Sequence, residues 1–273
     1  AEPAIASSKT AVMIAPVAPC NNYESVITGY ETTQSVQVKI RNIDKNPALS
    51  GDIITGLAAA GVQVGGLQHN IENIYNVILK LNSDNNVDGI LVQLPLPNTL
   101  DTVAVINSID PRLDVDILSE TAYNNFLEQK NKRYPPVLHA VLYALESYEI
   151  NLAGKNIYVL GNGRLVGKPI ADYLTIQGLP FTQMTKINFS VSKLKEADVI
   201  FSGMGMSHMI TPEMVKDGVT ILDCGTSEEG NTVLGDVHPD VSEKAQYFTP
   251  VPGGIGPLTV TALFNNVITP YEL

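Results

Sequence analysis

Residues 152–174 read LAGKNIYVLGNGRLVGKPIADYL, and this stretch decides the fold. Ile157–Leu160 is a short apolar run of strand length, closed at once by the glycine turn of Gly161, Asn162 and Gly163. Pro169 then opens a helical segment, a place where proline's missing N–H costs nothing. Strand, glycine turn and helix in that order are one half of a parallel βαβ unit. Working outward, ADVIFSGMG (residues 197–205) is a further strand ending in glycines, and VTILDCGT (219–226) is a third. Strands alternating with helical segments predict an open, mostly parallel sheet with helices on both faces. Right-handed crossovers then leave a ligand crevice at the carboxyl ends of the strands.

Upstream of this unit the pattern is looser. In VDGILVQLPLP (87–97), Gly89 precedes Ile90, Leu91 and Val92, while Pro95 and Pro97 forbid continuation as a central strand. That predicts a buried parallel strand whose end opens into a loop. Ile71, Ile74, Val77, Ile78 and Leu81 recur at helical spacing over His69–Leu81, leaving Glu72, Asn73 and Lys80 for solvent. A second helix is predicted over Thr99–Ile109, with Val103, Ile106 and Ile109 along one face. Val36–Ile40 alternates like a strand, and Leu57–Gly61 has the character of the end of a short helix.

Composition narrows the classes. A chain of 273 residues, 44% hydrophobic and 16% charged, is long enough for two domains with sizeable cores. No apolar run approaches the ~18–20 residues that cross a bilayer, so no membrane partner is expected. The start AEPAIASSKT has no basic region followed by a long apolar stretch, so no signal peptide is expected. Cys20 and Cys224 are too few for a disulfide scaffold, and a reducing cytoplasmic setting fits. A net charge of -11 repels polyphosphate and argues against nucleic acid.

Four groups of residues could carry chemistry. The loop from Gly161 to Gly167 can bring backbone N–H groups and a helix dipole to a phosphate, although such turns also serve structural roles and the spacing is not a strict G-x-G-x-x-G. TPVPGGIGPLT (249–259) holds three prolines and three glycines in eleven residues. It is a rigid, side-chain-poor loop suited to close approach of a planar ligand, after which Thr259 is placed to cap the next helix. Gln93 is the one polar residue inside an apolar stretch and, if buried, needs a backbone or ligand partner. Asp114 and Asp116 in LDVD read equally well as loop caps. His69, His139, His208 and His238 are too scattered for a metal site or a catalytic triad, and no metal is expected.

In unbroken order from about Ile71 to Asn266, these pieces resemble the methylenetetrahydrofolate dehydrogenase/cyclohydrolase (FolD) family. VDGILVQLPLP resembles its substrate-side strand, LDVD its D-V-D-G element, and GxxxLVGKPxxxxL its nucleotide-binding turn. DCGT, then GDV followed by TPVPGGIGPLT, resemble its closing loops. The resemblance implies an α/β fold of two domains around a cleft, the second a Rossmann-like doubly wound parallel sheet. A folate domain of residues 1–137 would be completed by a C-terminal helix over 257–273, with the NAD(P)-binding domain at 138–256. It implies oxidation of a folate methylene bridge with NADP, NAD being the other option, then hydrolysis to 10-formyltetrahydrofolate, in a homodimer. By the same resemblance Asp116 would hydrogen-bond the pterin and Gln93 would belong to the polar network at the one-carbon bridge. Pro252, Gly253, Gly254 and Ile255, with Pro257, would wall the folate. Gly161, Asn162, Gly163, Arg164, Cys224, Thr226, Gly256 and Thr259 would lie along the dinucleotide.

The chain departs from that family's pattern at defined places. The family's Tyr and, four residues on, Lys follow an N-P-A-S-like turn. Here Asn46-Pro-Ala-Leu-Ser is followed by Asp52 and Gly56 at those positions, and Tyr23 by Ile27. Lys39 and Lys45 are the nearby substitutes, Lys39 being the candidate proton carrier. The arginine and serine of G-R-S read Asn162 and Gly163, and H-S-x-T reads Thr182-Gln-Met-Thr185, leaving Arg164 or Lys186 for a 2'-phosphate. The P-x-T-P before the second domain is reduced to Tyr134-Pro-Pro-Val. A catalytically degenerate folate- and dinucleotide-binding protein is the alternative these losses motivate; a nicotinamide dehydrogenase for another small substrate is disfavoured by Gln93, Asp116 and the PVPGG set.

Overall fold

The computed structural model describes residues 11–14, 73–230, 232–269 and 271. The readings of Val36–Ile40 and Leu57–Gly61, and the positions of Lys39, Lys45, Asp52 and Gly56, lie outside those residues.

β1 (Ala11–Ile14) pairs in parallel with β2 (Gly89–Val92), with Val12 opposite Ile90. Helix α1 (Asn73–Asn82) and helix α2 (Thr102–Asn107) close a core built from Ile78, Val87, Ile90, Val92, Val105 and Ile106. Of the helix read over His69–Leu81, the described part begins at Asn73. The second is shorter than Thr99–Ile109. Asp101 accepts from the N–H groups of Val103 and Ala104 at 3.0 and 3.1 Å, which fixes the start, and the Ser108 hydroxyl turns back to the Val105 carbonyl at 2.6 Å.

Helix α3 (Glu120–Leu127), capped by Ser119, and helix α4 (Pro136–Ser147) lead into the larger sheet. Its strands are β3 (Ile157–Leu160), β4 (Phe181–Met184), β5 (Val199–Ser202), β6 (Thr220–Asp223) and, after the hairpin of β7 (Ser227–Glu229) and β8 (Thr232–Leu234), β9 (Tyr247–Phe248). All five run parallel in the order β4-β3-β5-β6-β9. Helices α5 (Gly167–Ile176) and α6 (Val191–Leu194) provide crossovers, and α7 (Ile255–Ile268) follows the last strand. Side chains alternate across the sheet. Ile157, Val159, Val199 and Phe201 share one core with Phe126, Leu138, Ile170, Leu174 and Ile255. Tyr158, Leu160, Ile200 and Ile221 share the other with Met184, Leu194, Ile210 and Val241. Burial on both faces is why these strands read as continuous apolar runs.

Helix α7 packs along α4. Asn266, fully buried, donates from Nδ2 to the carbonyls of Val115 and Tyr134, both at 2.9 Å. Arg133 donates to the carbonyl of Thr269 at 3.0 and 2.8 Å and to that of Arg112 at 2.6 Å. The end of the chain is thereby fastened to the segment that carries LDVD. Among the described residues, no helix is long and apolar enough to cross a membrane.

Candidate active site

The carboxyl ends of β3 and β5 meet through glycines. Gly161 has a φ of 96°, and its N–H reaches the Met184 carbonyl at 2.7 Å. A Cβ there would lie 2.4 Å from the Gly203 carbonyl oxygen; one on Gly203 would lie 2.3 Å from Val166 Cγ1, and one on Gly167 2.2 Å from the Gly161 oxygen. Only glycine lets the two strand ends and the first turn of α5 approach so closely. Gly163 differs: nothing lies within 4 Å of where its Cβ would be. Gly163 precedes the N-terminus of α5, whose positive dipole end suits an anion. The helix opens at Gly167, two residues before Pro169, which occupies its first turn. The strand order also reverses at β3, with β4 on one side and β5 on the other. Such a reversal is the usual place for a ligand crevice.

Two buried carboxylates hold the next loops. Asp236 accepts from Ser202 Oγ at 2.6 Å and from the N–H groups of Met204 and Met206 at 2.6 and 2.7 Å, fixing the turn after β5. Asp223 accepts from the N–H groups of Gly225 and Val237, both at 2.9 Å. Burial, opposed by those N–H groups and reinforced by the nearby Asp236, pushes the Asp223 carboxyl up to about 6. Gly225 and Gly235 are needed because a Cβ on either would strike these carboxylates, at 2.2 and 2.1 Å. Burial likewise pushes the Cys224 thiol up, which makes it a poor nucleophile. Thr226, next in the chain, is exposed.

Thr249 accepts from the Asp223 N–H at 2.7 Å, tying TPVPGGIGPLT to the DCGT loop. Gly253 adopts a φ of 106°, and Gly254 sits where a Cβ would lie 2.5 Å from the Pro250 oxygen. Pro252, Gly253 and Gly256 are exposed, whereas Ile255 is buried. Thr259 does not cap a helix. The helix starts at Ile255, because the PVPGG turn already frees its first N–H groups, and the Thr259 hydroxyl donates to the Ile255 carbonyl at 3.0 Å.

The two aspartates of LDVD separate clearly. Asp114 is buried and its Oδ2 accepts from the N–H groups of Leu118 and Ser119 at 3.0 and 2.6 Å, as a loop-holding residue does. Asp116 is half-buried. Burial first and the Asp114 charge second push its carboxyl up to about 7, against the attraction of Arg164. Between them and α3, Ile117 is held at a φ of 55°, a conformation that costs a β-branched residue on the order of 1–3 kcal/mol. Arg164, read as a cofactor residue, reaches across from the glycine loop and donates to the Leu118 carbonyl. Gln93 lies just past the end of β2 and is exposed, so no buried-amide constraint applies to it.

One polar cluster was not legible in the sequence. The Tyr123 hydroxyl on α3 donates to Asp172 Oδ2 on α5 at 2.7 Å, and Lys168 Nζ pairs with the same oxygen at 2.6 Å while lying 4.2 Å from the centroid of the Tyr123 ring. Three residues of common type, 49 apart between Tyr123 and Asp172, carry no spacing signal. Among the described residues, no three His, Cys, Asp or Glu side chains are grouped to hold a metal ion, and the rings of His208 and His238 simply stack edge to face at 5.1 Å.

A doubly wound parallel sheet with a glycine-lined switch point, faced by an aspartate loop from a second α/β segment, defines a dinucleotide-dependent enzyme fold. Comparison with known proteins specifies it further. Residues 135–273 match the family model described as tetrahydrofolate dehydrogenase/cyclohydrolase, NAD(P)-binding domain, and residues 58–116 match the catalytic domain of the same family. The bifunctional protein FolD of Lactobacillus helveticus is 38% identical over 199 residues, covering 72% of this chain and 71% of its own. The crystal structure of the FolD dehydrogenase/cyclohydrolase of Campylobacter jejuni superposes with a TM-score of 0.69 at 31% identity, covering 82% and 83% of the two chains. The Trypanosoma brucei FolD complexed with NADP and an inhibitor superposes at 0.68 with 26% identity and 81% of each chain. The chain belongs to the tetrahydrofolate dehydrogenase/cyclohydrolase family.

Proposed function

We propose that this protein oxidises 5,10-methylenetetrahydrofolate to the 5,10-methenyl form with NADP, NAD being a weaker alternative. The observation that carries this reading is the meeting of the Asp116 loop with the glycine-lined end of β3, through the Arg164 contact to Leu118. Asp116 holds the pterin by accepting from its N–H groups, and Gln93 at the mouth of β2 offers its amide to the one-carbon bridge. Pro252, Gly253, Gly254 and Ile255 would wall the folate and limit its positions beside the dinucleotide. Gly161, Asn162, Gly163, Cys224, Thr226, Gly256 and Thr259 line the path of the dinucleotide, whose nicotinamide supplies the hydride acceptor. NADP is favoured by Lys186, an exposed cation in the turn after β4, the strand whose Met184 carbonyl accepts from the Gly161 N–H. Arg164 is engaged elsewhere.

Hydride loss leaves a delocalised methenyl cation. Its hydrolysis requires water to add, a proton to leave and a carbon–nitrogen bond to break, steps that a positioned acid–base group accelerates. Lys39 is the candidate for that group. The cleft would lie between a folate domain of residues 1–137, completed by the C-terminal segment 257–273 that begins inside α7, and an NAD(P)-binding domain of 138–256. We further infer a cytoplasmic homodimer that meets through the nucleotide domain. A second reading, a binding protein without catalysis, is motivated by Asp52 and Gly56 at the family's Tyr and Lys positions. The test is the absorbance at 340 nm on mixing protein, methylenetetrahydrofolate and NADP or NAD. A rise with turnover supports the dehydrogenase; tight binding of both ligands without a rise supports the second reading.

A further inference from the structure

Arg164 stands at an unusual junction. It follows Gly163, the glycine whose surroundings are open, in a loop closed by hydrogen bonds from the N–H groups of Val166 and Lys168 to the Gly163 carbonyl at 3.3 and 3.0 Å. A phosphate bound there fixes the backbone from which the Arg164 side chain departs. The far end of that side chain donates to the carbonyl of Leu118, two residues beyond Asp116. Between Asp116 and Leu118 lies Ile117 in its left-handed conformation, which the Asp114 carboxylate sustains by accepting from Leu118 and Ser119. The strained turn is held by burial, Ile117 being 1% exposed, and by a small set of polar contacts that includes Asp114 and Arg164, so a ligand that strengthens one of those contacts can bias it.

We propose that Arg164 is a positioning residue that couples the two ligand sites: dinucleotide bound at the glycine loop holds, through Arg164 and the Leu118 carbonyl, the loop conformation in which Asp116 meets the pterin. This rests on the reading of the two sites given above. Another bridge between the same segments, from the Tyr123 hydroxyl to Asp172, joins α3 to α5. It supports the packing without carrying the signal.

The experiment is a binding cycle on the whole chain, measuring the Kd of tetrahydrofolate with and without saturating NADP, and the reverse. In the unaltered protein tetrahydrofolate binds roughly 5- to 150-fold more tightly when NADP is present, and NADP gains by the same factor, as linkage requires. Arg164→Met brings that ratio to within about twofold of one, Arg164→Lys retains part of it, and Tyr123→Phe preserves it; Arg164→Gln replaces the methionine variant if the latter fails to fold. The ratio is the readout because a merely structural arginine would weaken both affinities and leave it unchanged. A ratio of one in the unaltered protein, or one that survives Arg164→Met and Arg164→Gln, overturns the coupling. Failure of either ligand to bind the unaltered protein overturns the functional reading beneath it instead.

Discussion

Asp114 and Asp116 share a motif, a charge and a spacing, yet they do different work. The sequence offers two carboxylates with nothing to rank them, because the decision lies in the turn at Ile117, which the residue type itself argues against. That turn sends Asp114 inward to the N–H groups of Leu118 and Ser119 and leaves Asp116 half-buried beside the reach of Arg164. A carboxylate with its titration lifted to about 7 has a readable signature. It is ionised above that value and protonated below it, and only the ionised form accepts two hydrogen bonds from a pterin. Tetrahydrofolate affinity is therefore highest above about pH 7 and falls as the pH drops through it, while NADP affinity follows a different course. Asp116→Asn weakens folate binding roughly ten- to hundredfold at pH 8 and flattens the dependence. Titration calorimetry across the range checks both; equal losses for folate and NADP would mean that Asp116 merely supports the fold.

At the scale of elements, β3, its glycine turn and α5 were legible because local chemistry and global fold agree there: an apolar strand, glycines where backbones touch, and proline in a first helical turn. Boundaries set by side chains reaching back were not. Asp101 and Ser108 shorten α2, and the PVPGG turn starts α7 four residues before Thr259. The glycines of the turn also divide in a way that spelling hides, and substitution separates them. Gly161→Ala combines a positive φ with backbone 2.4 Å away, so it is expected to destabilise the protein by about 2 kcal/mol or more in urea unfolding. Gly163→Ala meets no neighbour and should leave stability unchanged within about 1 kcal/mol, while under the proposed reading NADP affinity falls because the added methyl would stand where the phosphate is to bind. Equal effects on stability would dissolve the distinction.

For the molecule as a whole, dehydrogenation and hydrolysis make unequal demands. Hydride transfer depends chiefly on alignment, the task that the proposed reading gives to the glycine loops and the PVPGG turn. Hydrolysis draws on proton transfer, where a positioned residue contributes ~100- to 10,000-fold, and under the proposed reading Asp52 and Gly56 stand where the family's Tyr and Lys would be. Dehydrogenase activity is therefore expected to exceed cyclohydrolase activity by a wide margin. Parallel assays of NAD(P)H formation and of methenyltetrahydrofolate decay above its spontaneous rate measure this. Hydrolysis abolished by Lys39→Met would identify Lys39 as the proton carrier, and brisk hydrolysis surviving it would sink the argument. Asn266 tests a different kind of integrity. Removing its amide with Asn266→Ala orphans the buried Val115 carbonyl and the part-buried Tyr134 carbonyl, at a cost of about 2 kcal/mol in urea unfolding. These contacts, and those of Arg133 to Thr269, join residues 132 to 151 positions apart. Their consequence concerns synthesis. The parallel sheet can assemble on a nascent chain while the ribosome is still decoding, and the LDVD segment can already pair with β2 through Ile90, but the Val115 and Tyr134 carbonyls gain their Asn266 partner only once α7 has left the exit tunnel. The loop beside Asp116 would thus gain its fastening to α7 late, and a ribosome stalled before that helix would hold a formed sheet beside a loop still short of one contact.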